Sequence, residues 1–292
     1  MDERRIGVLG ATSLVGEGVL PLLKHEGWRV TAFSRQAAGR SGSDVVEWRQ
    51  ISPSPQPSPA RGERVSHWIC VAPIWILPDY FELLKSYGAR RVVALSSTSR
   101  FTKGDSSDRD EQAVAQRLSE SEARLQTWAK ENGIEYVILR PTLIYGRGRD
   151  KNISEIARFI RRFKFFPLLG RASGLRQPVH ADDVAAACLA AFETEGESSR
   201  AYNLSGGETL SYRDMVMRVF EAMGRRPLLL SVPLWIFGVA VQCLRLLPRY
   251  RHWSLAMAER MNRDLVFDHA EATRDLGFSP RPFRLEAGDL PS

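Results

Sequence analysis

The chain has 292 residues and is poor in cysteine, with three widely separated cysteines. Cys70, Cys188 and Cys243 lie in apolar stretches without metal-ligand spacing, which argues against a disulfide framework and against a metal site. A reducing cytoplasm fits this cysteine usage best. The first five residues, Met1 to Arg5, lead directly into a predicted strand, so we expect no signal peptide.

Acidic residues are missing from two stretches, 156–181 and 222–258, where arginines lie among large apolar side chains. The second stretch contains an apolar run, 228–247, about long enough to cross a bilayer core of ~30 Å. Pro233, Gln242 and Arg245 interrupt this run, which favours an interfacial helix or a lid over an apolar pocket rather than a membrane span. A core helix of the C-terminal lobe with solvated arginines is the alternative.

The net charge of +7 favours anionic partners. Together with the two acid-free stretches, it predicts an anionic or amphiphilic small-molecule substrate, or peripheral contact with the inner membrane surface. No RNA-binding motif accompanies the arginines and aromatics, so no nucleic-acid partner is expected.

A glycine-containing turn near the N-terminus is the most informative motif that is present. Residues 6–16 read Ile-Gly-Val-Leu-Gly-Ala-Thr-Ser-Leu-Val-Gly, a short apolar strand that ends at a glycine and is followed at once by an apolar-periodic helix. Such a turn lets the backbone approach a pyrophosphate, and the helix N-terminus directs N–H groups towards it. The spacing of Gly10, Ser13 and Gly16 differs from G-x-G-x-x-G, and an ordinary tight turn is the alternative. The position at the start of the chain and the strand–turn–helix context favour a nucleotide cofactor.

Strand and helix patterns alternate along the first half of the chain, which predicts a doubly wound α/β (Rossmann) fold with a parallel sheet. Further strands are predicted at 28–35, 45–49, 66–72, 91–96 and 135–140, and helices at 78–87 and 110–132. Residues 52–63 carry prolines at alternate positions and predict an exposed loop where a helix would be expected. We expect a dinucleotide-binding domain over 1–150, to whose sheet 177–206 returns, and a smaller C-terminal substrate lobe over most of 151–292.

Five motifs in order, at 10–16, 95–99, 140–146, 177–185 and 202–208, resemble the extended or atypical short-chain dehydrogenase/reductase superfamily, of the NAD-dependent epimerase/dehydratase type. They read Gly-Ala-Thr-Ser-Leu-Val-Gly, Leu-Ser-Ser-Thr-Ser, Arg-Pro-Thr-Leu-Ile-Tyr-Gly, Gln-Pro-Val-His-Ala-Asp-Asp-Val-Ala and Tyr-Asn-Leu-Ser-Gly-Gly-Glu. The resemblance implies that the cofactor is held by Gly10, Thr12, Ser13, Leu14, Val15, Gly16, Ala72 and Pro141. The family usually has glycine where Ser13 stands, which bears on the shape of the turn.

The end of the second strand indicates the cofactor type. An NAD-preferring site places an acid there for the ribose 2′-hydroxyl, but here Ser34 and Arg35 occupy the position and no acid occurs in 27–43. A guanidinium can bind a 2′-phosphate through two hydrogen bonds. The sequence therefore predicts NADP(H) rather than NAD(H), with a surface arginine as the alternative.

The catalytic residues of the family are incompletely represented. The resemblance implies a Tyr-x-x-x-Lys pair on the long helix, but alignment places Val114 and Leu118 at those positions, and residues 111–130 contain no tyrosine. Thr98 corresponds to the family's hydroxyl residue, for which capping of backbone groups is the alternative role. Tyr145 is a candidate replacement acid, with packing as the alternative. His180 is a second candidate for this acid, but a structural role is favoured for it because Asp182 and Asp183 are expected helix caps.

Two functions follow from this combination. The first is an NADP(H)-dependent oxidoreductase or epimerase that acts on an anionic or lipid-like substrate with non-standard acid/base residues. The second is a non-catalytic protein that holds NADP(H) in a structural or assembly role at a membrane complex. A nucleotide-sugar epimerase or dehydratase is an alternative within the enzyme class, which the absent tyrosine disfavours.

Overall fold

The polypeptide forms thirteen strands among the residues that the computed structural model describes, which are 4–35, 45–51, 59, 63–193, 199–235, 237 and 255–291. The strands are β1 (Arg5–Leu9), β2 (Arg29–Ser34), β3 (Val46–Gln50), β4 (His67–Cys70), β5 (Arg91–Leu95), β6 (Glu135–Pro141), β7 (Ile144–Tyr145), β8 (Phe166–Leu169), β9 (Leu175–Arg176), β10 (Val179–His180), β11 (Ser199–Leu204), β12 (Leu210–Ser211) and β13 (Leu229–Val232). Seven of them form one parallel sheet in the order β11-β6-β5-β4-β1-β2-β3. The remaining strands pair as β10 with β7, β12 with β9 and β13 with β8.

The α-helices within the described ranges are α1 (Gly16–His25), α2 (Phe81–Ser86), α3 (Ser99–Thr102), α4 (Arg109–Asn132), α5 (Ile153–Phe163), α6 (Ala181–Glu193), α7 (Tyr212–Ala222), α8 (Leu255–Asn262) and α9 (Ala270–Leu276). Helix α1 packs on α6 on one face of the large sheet, and α2 and α4 cover the other face. Because both faces are covered, the central strands are almost continuously apolar, as in β5 with Val92, Val93 and Ala94 fully buried. A third apolar cluster lies in the C-terminal lobe, between α5, α7 and β8.

The predicted α/β fold with a doubly wound parallel sheet is confirmed, and β11, from the 177–206 segment, is its edge strand beside β6. The helix predicted at 78–87 begins earlier, as a 3-10 helix over Ile74–Tyr80 that leads into α2. Helix α4 begins after Asp108, whose carboxylate accepts the N–H of Asp110, and ends at Gly133 in the left-handed conformation.

Some predictions concern residues outside the described part of the chain. The proline-rich segment lies there except for Pro59 and Glu63, as do Cys243 and residues 238–254 of the second acid-free stretch. Cys70 and Cys188 are buried thiols, and burial raises the pKa of each to about 12, which makes them inert at neutral pH. In the described ranges, no helix combines the length and the apolarity that crossing a membrane requires.

Candidate functional site

The turn after β1 is shaped by two glycines. Gly10 has a φ of +84°, and a Cβ on it would lie 2.5 Å from the backbone nitrogen of Ala72 at the end of β4. A Cβ on Gly16 would lie 2.4 Å from the carbonyl oxygen of Gly10. Both positions therefore require glycine, one because of its conformation and both because of close backbone contacts.

Ser13 replaces the family's glycine without distorting the turn. Its N–H donates to the carbonyl of Gly10 (2.9 Å), and its hydroxyl accepts the N–H of Gly16 (3.1 Å) at the start of α1. Ser13 is not among the described non-glycine residues with positive φ, so the backbone freedom of a glycine is not needed there. The serine hydroxyl thus caps the helix from within the turn.

Two amides at the start of α1 are left for a ligand. Within the described part of the chain, the N–H groups of Leu14 and Val15 donate to no other group, whereas those of Gly16, Glu17 and Gly18 are bonded within the turn. Val15 is buried, so its amide lacks ready access to water. Unpaired donors at a helix N-terminus fit a phosphate group, so the turn suits the pyrophosphate of a dinucleotide.

The end of β2 places Ser34 and Arg35 one strand away from this turn. Ser34 is buried, whereas the Arg35 side chain is exposed and forms no hydrogen bond with the described residues. The parallel pairing of β1 with β2 brings the carboxyl ends of both strands to the same edge of the sheet. Arg35 therefore stands at the edge where the adenosine ribose of a dinucleotide would lie.

A cavity of about 680 Å³ opens beside the glycine turn, between the carboxyl edge of the sheet and the C-terminal lobe. Leu14 lines it on the turn side, and Met261 lines it on the lobe side. Polar residues on its wall include Thr98, Lys103, Thr142, Asp150, Arg176, Tyr212 and Arg260. Its size is within the range of small-molecule sites, and its position at the strand ends is typical of ligand sites in this fold.

Thr98 is buried in the wall of this cavity. Its backbone N–H and its hydroxyl both donate to the carbonyl of Pro141, over 3.1 Å and 3.2 Å. The hydroxyl proton is therefore used, and the oxygen remains available as an acceptor. Thr98 therefore satisfies a backbone carbonyl, and its oxygen can still accept a hydrogen bond from a ligand in the cavity.

Tyr145 packs in the apolar cluster of the C-terminal lobe, and His180 contacts its ring and lines a separate cavity of about 380 Å³. Neither residue lies on the wall of the cavity beside the glycine turn. Tyr145 is fully buried, its hydroxyl donates to the carbonyl of Arg284 (3.3 Å), and burial raises its pKa to about 12. His180 accepts the N–H of Asp182 at Nδ1 (3.1 Å), which leaves Nε2 to donate to Asp289 (3.1 Å). His180 therefore caps α6, and this geometry supports its structural assignment.

The expected capping roles of Asp182 and Asp183 are replaced by ion pairs. Asp182 binds Arg147 (2.5 Å) and Asp183 binds Arg281 (2.8 Å), both in the first turn of α6. Both carboxylates still lie at the positive end of the helix dipole, which stabilises them.

The cavity residues that sequence reasoning missed include Lys103, Tyr212 and Arg260. Lys103 follows α3, and burial together with the nearby Arg260 lowers the pKa of its ammonium group. Tyr212 begins α7, and its hydroxyl forms no hydrogen bond with the described residues. Burial raises the Tyr212 pKa to about 12, and the Arg176 guanidinium, 5.5 Å from the ring centroid, opposes that shift.

The comparisons with known proteins agree with this geometry. The model of the NAD-dependent epimerase/dehydratase family matches residues 79–205. Among solved structures, the fold is similar to UDP-glucuronic acid 4-epimerase from Bacillus cereus in complex with NAD, with a TM-score of 0.71, 15% identity, and coverage of 98% of this chain and 95% of that chain. Short-chain dehydrogenase/reductase family 42E member 1 from Mus musculus is 23% identical over 232 residues, which cover 73% of this chain and 51% of the relative.

Two other curated relatives match over shorter regions. UDP-glucose 4-epimerase from Vibrio cholerae is 25% identical over 170 residues, which cover 58% of this chain and 49% of the relative. Subunit 9 of the NADH dehydrogenase [ubiquinone] 1 alpha subcomplex from Arabidopsis thaliana is 28% identical over 100 residues, covering 34% of this chain and 25% of the relative. The chain spans half or less of the length of these two relatives.

Helix α4 is where the resemblance would place a Tyr-x-x-x-Lys pair. Leu118 is buried and Val114 partly buried in the apolar cluster between α4 and the sheet, and neither lines the cavity. One turn further on, the buried carboxylate of Glu122 accepts bonds from Ser96 (2.5 Å), Arg140 (2.6 Å) and Arg100. This network fixes the start of the Thr98 loop against β6, so α4 supports the cavity wall through Glu122.

Proposed function

We propose that the protein is an NADP(H)-dependent oxidoreductase or epimerase that acts on an anionic or amphiphilic small molecule. The observation that carries this proposal is that the glycine turn and one cavity share a wall, with Leu14 at the turn and Thr98, Lys103 and Tyr212 around the same space. When bound, the nicotinamide would supply or accept a hydride. Gly10, Thr12, Ser13, Leu14, Val15, Gly16, Ala72 and Pro141 would hold the cofactor, together with Ser34 and Arg35.

The charges on the cavity wall favour a negatively charged substrate. Arg260 is paired with Glu111, but Arg176 donates to the backbone carbonyls of Leu175, Arg260 and Arg263 and has no ion pair with a described carboxylate. The Asp150 carboxylate is occupied by the N–H groups of Asn152 and Ser154 and by the Ser154 hydroxyl. The cavity therefore carries a net positive charge, which attracts an anion.

Apolar residues complete the lining and favour a substrate with an apolar part. Leu143 and Ile144 lie on the sheet side of the cavity, and Met261, Leu265 and Phe267 lie on the lobe side. A site that combines apolar walls with a few convergent polar groups is typical for small molecules. This composition supports the amphiphilic character that we propose.

Two proton-bearing groups would take the place of the missing pair. With a pKa of about 12, the Tyr212 hydroxyl keeps its proton at neutral pH and can donate a hydrogen bond to a substrate oxygen. The lowered pKa of Lys103 brings its ammonium group closer to the range in which it can exchange a proton. The Thr98 oxygen, with its own proton held by Pro141, would orient a substrate hydroxyl as an acceptor.

A non-catalytic role in holding NADP(H) within a membrane complex is the second candidate. The packing of Leu118 and Val114 into the apolar cluster favours it, and so does the similarity to a subunit of a respiratory complex. A nucleotide-sugar epimerase is a third candidate, supported by the Vibrio cholerae and Bacillus cereus relatives.

Nicotinamide absorbance and fluorescence of the purified protein, followed by substrate challenge, separate these candidates. We expect bound NADPH that is oxidised by a quinone or a lipid extract, with kcat lowered about 10²-fold or more in Tyr212→Phe and Lys103→Met. Tyr145→Phe should retain activity because its hydroxyl lies outside the cavity. Interconversion of UDP-glucose and UDP-galactose would favour the epimerase. Bound NADPH that neither a quinone nor a lipid extract oxidises, together with no interconversion of UDP-glucose and UDP-galactose, would contradict the enzyme and favour the structural role.

A further inference from the structure

Exposed apolar side chains are concentrated on one surface of the C-terminal lobe. Seven large apolar residues are strongly exposed in the described part of the chain, and five of them lie in β13 or within three residues of β13 or of its partner strand β8. The five are Phe163, Leu228, Leu230, Leu234 and Trp235. Trp235 is 74% exposed, which is unusual for a tryptophan that serves only packing. We call these five residues, together with the cations Arg162, Lys164 and Arg226, the β13 surface.

Strand pairing in the lobe creates the β13 surface from two distant parts of the chain. Strand β13 pairs in parallel with β8, in a register that runs from Phe166 opposite Leu229 to Leu169 opposite Val232. This pairing joins the acid-free stretch 156–181 to the acid-free stretch 222–258. Leu228 and Leu230 are two residues apart and point to the same side of the strand, away from the buried cluster.

Cations without carboxylate partners lie beside these apolar side chains. Arg162 lies over the ring of Phe163, 5.4 Å from its centroid, and Lys164 donates only to the backbone carbonyl of Arg161 (2.7 Å). Arg226 is exposed near the start of β13. None of these three side chains forms an ion pair with a described carboxylate. The β13 surface therefore combines aromatic and aliphatic groups with charge of one sign.

We propose that the β13 surface binds peripherally to an anionic lipid bilayer. Tryptophan, phenylalanine and leucine beside lysine and arginine are the side chains that enter the interfacial region, where the anionic headgroups attract the cations. A uniformly negative surface fits a patch that lacks acids better than a protein partner of mixed charge does. This inference is independent of the reaction in the cavity.

Co-sedimentation of the full chain with vesicles tests the proposal. We expect binding to phosphatidylcholine vesicles that contain phosphatidylglycerol at low salt, and weak binding to pure phosphatidylcholine vesicles. The double variant Arg162→Glu/Lys164→Glu should lower the affinity for the acidic vesicles at least about tenfold, because each cation near the surface contributes to attraction. The matched control is Lys85→Glu/Arg124→Glu, which changes the net charge equally at exposed positions of α2 and α4 and should bind like the unsubstituted protein.

Leu230→Ser/Trp235→Ser tests the apolar part and should also lose binding, with circular dichroism to verify that the variant is folded. Failure of the unsubstituted protein to bind acidic vesicles at low salt would overturn the proposal and leave the β13 surface to a protein partner. Equal loss in the Lys85→Glu/Arg124→Glu control would overturn it as well, because overall charge would then explain the binding. Cofactor binding is measured separately, so failure here is distinguishable from failure of the proposed function.

Discussion

At the scale of single residues, the ligand preference depends on which polar side chains are already hydrogen-bonded within the protein and which remain available to a ligand. The Thr98 hydroxyl donates to Pro141, and the Asp150 carboxylate accepts bonds from three donor groups. The side chains of Tyr212 and Arg35, in contrast, form no hydrogen bond with the described residues. The Tyr212 hydroxyl lies beside the cavity, where an unpaired polar group is costly unless a ligand or water satisfies it. Arg35 is exposed to water and does not line the cavity, but its free guanidinium is available to a phosphate group. Tyr212 and Arg35 are therefore the residues at which substitution should report most directly on ligand binding.

Arg35→Asp should reverse the cofactor preference. The guanidinium would bind the 2′-phosphate of NADP(H) through charge-assisted hydrogen bonds, so we expect NADPH affinity to fall at least about tenfold. The new carboxylate can accept the ribose 2′-hydroxyl of NADH, whose affinity should be kept or increased. Fluorescence titration of both cofactors measures the change. Arg90→Asp is the control, because Arg90 precedes β5 at the amino ends of the parallel strands, whereas Arg35 lies at their carboxyl ends. Unchanged discrimination between the two cofactors in Arg35→Asp would contradict the NADP(H) preference.

At the scale of elements, the turn before α1 shows how one serine supports a glycine-dependent motif. Gly10 and Gly16 cannot be replaced because a Cβ would meet backbone atoms. Ser13 faces no such conflict, and its hydroxyl satisfies the Gly16 amide while the amides of Leu14 and Val15 stay unpaired. The element is thus capped for stability and still open for a phosphate group.

Ser13→Ala should lower the free energy of unfolding by about 1 kcal/mol, because the Gly16 amide loses its acceptor. Ser13→Gly should cost only a few tenths of a kcal/mol, as glycine is tolerated at helix-capping positions and restores the usual residue of the family. Urea denaturation of both variants gives the comparison. Equal losses for alanine and glycine would mean that the hydroxyl does not stabilise the turn.

At the scale of the whole molecule, Asp289 connects the C-terminal part of the chain to the lobe and to α6. Its carboxylate accepts from His180 Nε2 (3.1 Å) and from the backbone N–H groups of Arg147 (3.2 Å) and Glu286 (3.0 Å). Burial by itself would raise the pKa of Asp289, but these bonds outweigh it and hold the pKa below its ordinary value. The stabilisation is therefore present above the unfolded pKa of about 3.9 and is lost as pH falls through the folded pKa.

Asp289→Asn should destabilise the protein by roughly 1–3 kcal/mol at neutral pH, since it removes charge-assisted hydrogen bonds. The difference from the unsubstituted protein should narrow below about pH 4, where the native carboxylate takes up its proton. Thermal unfolding across pH 3 to 7 measures both effects. The control Asp105→Asn, at an exposed position, should leave the pH dependence of stability unchanged. If the stability difference between Asp289→Asn and the unsubstituted protein stayed constant from pH 7 to pH 3, the Asp289 carboxylate would not be the source of this pH dependence.

Local patterns explain which features were predictable. The β1 turn, the strands of the sheet and α4 depend on apolar periodicity, caps and glycine positions that are contiguous in the chain, and the structure has them within a few residues of the predicted bounds. Lys103, Tyr212 and Arg260 come from three separate segments and meet only at the cavity. Their sequence surroundings carry no periodic signal for that meeting, and so they were missed.

The sequence by itself determined the α/β class, the dinucleotide-type turn and the absence of a tyrosine from residues 109–132, because these depend on residue type and near spacing. Tertiary structure decided the rest. Chain crossings brought Thr98, Lys103 and Tyr212 to one cavity, left Tyr145 and His180 off its wall, and joined two acid-free stretches through β8 and β13. These outcomes depend on contacts between residues far apart in the chain, whose partners are set by strand order and register and not by local composition.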